Sequence, residues 1–307
     1  MADISRAEVA TLIQEAYSDI LLAASTQAST VLSAFPTVAM GTKLTHLPVL
    51  ATLPEADWVS ESATGPTGVK PTSRATWDDR TLVAEEIAVI IPVHENVIDD
   101  CTTAVLTEIA SLGGQAIGKK LDQAVLFGID KPASWVSKSL SEAAVSAGQV
   151  ISVTDPDDPA NANDVVGGVN KAAQAIALAG FAPDTLVSSL AMRYQVANLR
   201  DAQGQPIFRD ESFAGFRTFF NRNGAFPVAN DPVVIIADSQ RIRIGIRQDI
   251  TVKFLDQATI GSGANQINLA ERDMVAIRLK ARYAYVLGDS ATSMGNAPRT
   301  PVAVTAP

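Results

Sequence analysis

The sequence predicts an α+β fold, and three stretches predict it. Thr102 to Gly128 reads as one long helix, with Val105, Ile109, Leu112 and Ala116 on one stripe. Ile117, Leu121, Ala124 and Val125 continue that stripe, shifted by one position. Met274 to Leu287 alternates like a strand, with Val275, Ile277, Leu279, Ala281, Tyr283 and Tyr285 on one face and Arg278, Lys280 and Arg282 on the other. Residues 55–79, EADWVSESATGPTGVKPTSRATWDD, are polar, rich in Gly, Pro, Ser and Thr, and flanked by strand patterns.

Taken in order, Ser5 to about Leu32 is an amphipathic helix opened by the capping pair Ser5 and Glu8, fraying toward Phe35-Pro36. Gly41 to Pro54 is extended chain. The polar span that follows predicts a projecting two-stranded hairpin, with Trp58-Val59 entering it and residues 80–84 and 86–93 leaving. Such a hairpin is marginal alone in water and needs a partner. The long helix starts near the N-cap oxygens of Asp99, Asp100, Thr102 and Thr103 and stops at Gly128. At about 1.5 Å per residue it runs roughly 40 Å. Gly113 and Gly114 weaken its middle by about 1 kcal/mol each relative to alanine.

Pro132 to Gly148 reads as loop, and 149–153 as a short strand. The proline-broken acidic run 155–164 is a subdomain linker. A helix follows from Val165 to Leu178, with Val169, Ala172 and Ile176 inward, then a strand at Leu186-Val187 and a helix to about Leu199. Strands are expected at Val233 to Ala237, Arg241 to Ile246 and Thr251 to Leu255. After Met294 the chain reads as a polar, proline-rich tail.

The chain has 307 residues, 47% of them hydrophobic, enough for a large buried core. Its net charge is −9, which argues against gripping nucleic acid through a basic patch. That charge is compatible with enclosing it. The one cysteine, Cys101, excludes an intrachain disulfide and reads as a packing residue. No apolar run approaches the ~18 residues that span a membrane.

Catalytic signatures are absent. There is no phosphate loop, no dinucleotide fingerprint and no nucleophile elbow. His46 and His94 lack metal-motif partners, and Asp155, Asp157 and Asp158 lack the glycine and distal glutamate of a calcium loop. No catalytic residue, metal or cofactor is expected. The pattern is that of a protein that binds copies of itself or partners.

The order of these pieces resembles the tailed-phage major capsid proteins of the HK97-like fold. The helical arm, the hairpin opened by Ala56 to Glu61, the strand Leu82 to Val93, the helix ending in residues 121–128 (LDQAVLFG) and the last long strand with Arg282 carry the resemblance. It implies an N-terminal arm at 1–45, a connector at 46–53, an extended loop at 54–86, and a peripheral domain at 87–154 holding a spine helix at 102–128. An axial domain at 155–240 and return strands with a tail at 241–307 complete it. It further implies hexamers and pentamers of an icosahedral shell around double-stranded DNA, without sequence-specific binding and without a membrane. A portal and separate scaffolding or decoration proteins are the implied partners, and the virion, assembled in the host cytoplasm, the location.

Trp58, Val59 and Glu61 at the loop base, with Arg74 and Trp77 on its return, are the candidate intersubunit contacts. One member of that family cross-links a loop lysine to an asparagine with help from a glutamate. Lys70 lies in the loop here, but Asp273 and Lys280 stand at the other two positions, so no cross-link is expected. A fused scaffolding region is expected to be absent. A bacterial encapsulin-type nanocompartment shell of the same fold is the alternative, and a soluble enzyme with a deep pocket is the reading from another class.

Overall fold

The structure, a computed structural model, describes residues 29–52, 54, 56, 72–96, 104–152, 165–197, 215–226, 234–261, 266–288 and 299–306. Most of the expected arm helix therefore lies outside the described residues. Its expected end differs. Ser29 is extended, at φ −90° and ψ 116°, and caps a separate short helix, α1, Thr30–Ala34. Its Oγ accepts from the Leu32 N–H, which ties the cap to its own first turn. Pro36 then bars continuation of the helix, and the chain extends into β1, Thr37–Ala39.

β2, Leu44–Thr52, pairs antiparallel with β3, Thr76–Val83, to form the two-stranded hairpin. The incoming strand is thus 44–52, upstream of the Trp58-Val59 position, which lies outside the described residues. Ala84 is fully buried, and the chain passes directly into β4, Glu85–His94, which belongs to another sheet.

The long helix α2 spans Ala104–Asp122, and its last turn widens into a π turn at Gln123–Phe127. Gly128, at φ 74°, ends it in the left-handed conformation that glycine adopts without steric cost. Where loop was expected, Ser139 opens a helix, α3, Leu140–Ser146. The Ser139 Oγ accepts from the Glu142 N–H while the Glu142 carboxylate accepts from the Ser139 N–H, a reciprocal capping box.

β5, Val150–Ser152, α4, Val165–Leu178, β6, Thr185–Ser189, and α5, Leu190–Ala197, follow as expected. A strand not anticipated, β7, Arg217–Asn221, precedes β8, Val234–Ala237. β9 runs unbroken from Ile242 to Leu255, joining two expected strands. Its register against the last long strand shifts by a bulge opposite Lys280 to Tyr283, which is where the sequence pattern breaks. β10, Thr259–Ile260, and β11, Ile267–Asn268, form a small ladder before β12, Met274–Leu287. The tail is a correction: Val302–Ala306 is a strand, β13, whose Val302 and Ala303 are fully buried.

Two sheets organise these elements. The first has the order β1-β9-β12-β4, and the second β5-β13-β8-β6-β7. The second is covered on both faces, as its near-continuous apolar strands require. Leu186, Val234, Ile236 and Ala303 pack with Val169, Ala172 and Ile176 of α4. Val187, Ile235, Val302 and Val304 face the main core with Leu121, Val125 and Leu126 from the end of α2. The first sheet turns Ile277, Leu279, Ala281, Tyr283 and Tyr285 into that same core.

α2 lies close on the first sheet at Gly113. A Cβ added there would collide with the Leu279 Cδ1 and come within 3.6 Å of the Ile91 Cδ1. The helix is continuous through Gly113 and Gly114, so in this state Gly113 provides close approach rather than a bend.

Candidate functional site

The first region is the hairpin. Thr76 to Val83 alternates little in burial, and only Leu82 is fully covered. The hairpin is tied to the body at its base. The Trp135 indole N–H donates to the Val83 carbonyl over 2.9 Å, and Trp135 packs against Tyr285 at 6.0 Å between ring centres. Farther out the ladder is exposed. His46 Nδ1 lies 2.6 Å from the Asp79 carboxylate, and Arg80 lies 3.6 Å from Asp78. Trp77 is 69% exposed, and Arg74 is exposed in the segment leading into β3. The fold therefore brings Arg74 and Trp77 to the same outer part of the hairpin. Trp58, Val59 and Glu61 lie outside the described residues, as does Lys70.

The second region is a junction around Asp122, which the sequence reading did not single out. Asp122 is fully buried. Its Oδ1 accepts from the Ser29 Oγ at 2.7 Å and the Val31 N–H at 3.1 Å. Its Oδ2 accepts from the Thr30 N–H at 2.9 Å, Asn221 Nδ2 at 3.0 Å and Asn223 Nδ2 at 2.8 Å. One carboxylate therefore caps the N-terminus of α1, where negative charge is favoured, and holds the end of β7. Burial pushes the Asp122 carboxyl up from its ordinary value, against the pull of these hydrogen bonds. Its partners are roughly a hundred positions away in sequence. The one visible signal was a charged residue inside the apolar run of residues 121–126.

The third region is the face of the first sheet turned away from α2. Along β12 the alternation predicted for Arg278, Lys280 and Arg282 holds. Cross-strand register places Arg278 between Ile90 and Lys253, Lys280 between Ala88 and Thr251, and Arg282 between Glu86 and Gln248. Lys280 Nζ reaches the Glu86 carboxylate at 2.7 Å, with the Arg282 Nε at 3.9 Å. The Lys280 hydrogen bond holds the Glu86 carboxyl below its ordinary value; partial burial opposes it, and the Arg282 and Arg278 charges assist. Asp273 turns the chain into β12 at φ 49°.

Chemistry-bearing clusters are few. Among the described residues no group of three or more His, Cys, Asp or Glu is placed to hold a metal ion, and no helix is long and apolar enough to cross a membrane. His94 is exposed at the end of β4, and Cys101 lies outside the described residues.

The chain matches the model of the phage capsid family over residues 10–292. Among solved structures it is similar to a chain of Mycobacterium phage Cain, at 71% identity and a TM-score of 0.81, covering 100% of this chain and 99% of that one. A chain of Mycobacterium phage Adephagia matches at 69% identity and 0.81, covering 100% and 98%. A chain of Microbacterium phage Oxtober96 matches at 35% identity and 0.78, covering 100% of both. The capsid of an empty GTA particle shares the fold at 14% identity and 0.58, covering 91% and 89%. Among curated proteins nothing matches the chain. These likenesses favour a phage shell over a nanocompartment shell.

Proposed function

This chain belongs to the phage capsid family and is a structural major capsid protein, and from that premise we propose how its copies assemble. They close into hexamers and pentamers of an icosahedral shell that encloses double-stranded DNA without reading its sequence. The observation that supports self-assembly is the β2/β3 hairpin. Its base packs on its own body, but its outer part is a two-stranded ladder carrying a 69% exposed tryptophan, and a ladder of that kind gains stability by lying on something else. In a shell that something is a neighbouring copy. Trp58, Val59 and Glu61 with Arg74 and Trp77 supply the contacts.

In this reading the protein works by geometry rather than by reaction. The α2 helix and two sheets share one buried core, the hairpin extends from it, and the Asp122 junction fixes where the arm leaves. The −9 charge lets the inner wall confine DNA without adhering to it. A portal and separate scaffolding or decoration proteins complete the particle, which forms in the host cytoplasm. Electron microscopy of particles purified from infected cells, with their nucleic-acid content, tests this. Closed shells built of this chain and filled with double-stranded DNA are expected. Particles built of this chain that hold a protein cargo and no DNA would refute it.

A further inference from the structure

Three cations from three separate elements border one cavity at the root of the hairpin. Arg80 comes from β3, Lys138 from the turn before α3, and Arg299 from the segment before β13. Ser137, Ser146 and Thr300 add hydroxyl groups to the lining. Among the described residues that line the cavity none is a carboxylate. The Asp78 carboxylate lies 3.6 Å from Arg80 but is not part of the lining. In a chain of net charge −9 such a recess is a local reversal of sign. Its volume of about 260 Å³ is many times the ~10–15 Å³ that admits one water, so it takes a group of several non-hydrogen atoms. Arg80 also borders a second cavity, which receives Arg241 and Arg243, and this adds to the positive field.

The donors are held in place without a ligand. Lys138 Nζ donates to the Ser146 Oγ at 2.9 Å, and that hydroxyl donates to the Glu142 carbonyl at 2.7 Å. The Arg299 guanidinium donates to the Leu178 carbonyl at 3.1 Å. Side chains already fixed lose less freedom when a ligand arrives. Thr300 supplies an independent sign of a missing acceptor. It is only 4% exposed, and its Oγ1 is buried with no hydrogen-bond partner among the described residues. A buried hydroxyl is costly to leave unpaired, and an acceptor in the cavity it lines would pair it.

The chemistry of the lining selects the ligand. Three cations call for more than one negative charge. Donors arriving from three elements call for oxygens that point in several directions, which a tetrahedral oxyanion offers and a planar carboxylate does not. Guanidinium forks match phosphate oxygens in pairs. A duplex backbone needs cations set along a face, whereas these sit around a recess. We propose that the cavity between β3, α3 and the start of β13 is a binding site for a single phosphate group, taken up as the free ion. Bound there, the ion joins the hairpin strand to α3 and to the last strand, and so fastens the root of the hairpin to the body.

The test is isothermal titration of the full-length chain with sodium phosphate at constant ionic strength, beside thermal melts. Saturable binding is expected, with a melting temperature that rises with phosphate and not with chloride of equal ionic strength. Lys138→Gln and Arg299→Gln are each expected to weaken binding about tenfold, the loss of one charge-assisted hydrogen bond. Lys43→Gln removes the same charge outside the cavity and is expected to bind as wild type. Thr300→Val separates a ligand role from a structural one. Without phosphate it is expected to melt at the same or a higher temperature, because it deletes an unpaired buried hydroxyl, yet its phosphate affinity is expected to fall. An absence of saturable binding would overturn the proposal, as would equal weakening by Lys43→Gln or wild-type affinity in Thr300→Val. Binding of a duplex oligonucleotide in place of phosphate, weakened by the same substitutions, would overturn it in favour of a backbone-binding surface.

Discussion

Replacing Asp122 by asparagine keeps the side-chain shape and removes the charge at the point where three distant segments meet. The carboxylate accepts five hydrogen bonds, two on Oδ1 and three on Oδ2. An amide offers one oxygen in place of two, so its NH2 group must face at least two former donors. The cheaper orientation turns the NH2 toward Ser29 and Val31, because the Ser29 hydroxyl can rotate. The Val31 N–H is then left unpaired inside the protein, and the serine loses its cap geometry. Each buried donor left unsatisfied costs about 1–3 kcal/mol, so Asp122→Asn is expected to cost about 2–5 kcal/mol. That is a large part of the roughly 5–15 kcal/mol that holds a domain together. At roughly 2–4 °C per kcal/mol for a chain of this size, the subunit melting temperature should fall by about 5–15 °C. The loss should also be local, with amide exchange at Thr30 and Val31 accelerating more than exchange in β12. A variant that melts within about 1 °C of wild type, with unchanged protection at those two amides, would refute the assignment of Asp122 as the anchor.

Three further outcomes follow from the same structure. Gly113→Ala should destabilise by about 1–3 kcal/mol despite the better helix propensity of alanine, because the new methyl meets the buried Leu279 side chain; a stabilised variant by thermal melting would contradict the close approach of α2. The hydrogen bond from the Ser139 N–H holds the Glu142 carboxyl below its ordinary value, so its contribution is present above the unfolded pKa of about 4.3 and lost as pH falls through the lowered folded value. Glu142→Gln removes that contribution, so it should lower the melting temperature at pH 7, where the contribution is present, approach wild type below the lowered folded value, and so flatten the profile in between; an unchanged acid slope in a pH-dependent melt would count against it. Arg74→Glu should impair shell formation while leaving the subunit melting temperature within about 1 °C, since Arg74 is exposed; normal assembly by light scattering would remove Arg74 from the contact set.

Long periodic elements were legible because their pattern repeats many times. β12 spans the residues expected, and α2 differs chiefly in its π turn, which keeps Leu121, Val125 and Leu126 on the core side after the stripe drifts. Short elements were not. α3 has seven residues, too few for helical period to stand out, although its Ser139 to Glu142 capping box was written in the sequence. β13 is five residues between prolines and an alanine-proline end, and composition read it as tail. Its strand character comes from β5 and β8 on either side, which is tertiary information. β7 follows a turn-rich segment and precedes Gly224, so nothing local announced it. The hairpin was anticipated, but the strand that pairs with Thr76 to Val83 is Leu44 to Thr52, a stretch read only as extended chain, because register and not composition sets the partner; the Trp58-Val59 position lies outside the described residues. Of the candidate contact residues, Arg74 and Trp77 are exposed, and Trp58, Val59 and Glu61 lie outside the described residues. Asp122 went unnoticed because its donors lie on segments that only folding brings near.

The position of the hairpin in an assembled particle is the decisive observation. A reconstruction of the particle by electron cryomicroscopy should show a closed icosahedral shell in which β2 and β3 of each subunit lie across the body of a neighbour. A closed shell in which each hairpin folds back onto its own subunit, with Trp77 and Arg74 touching no other copy, would contradict it.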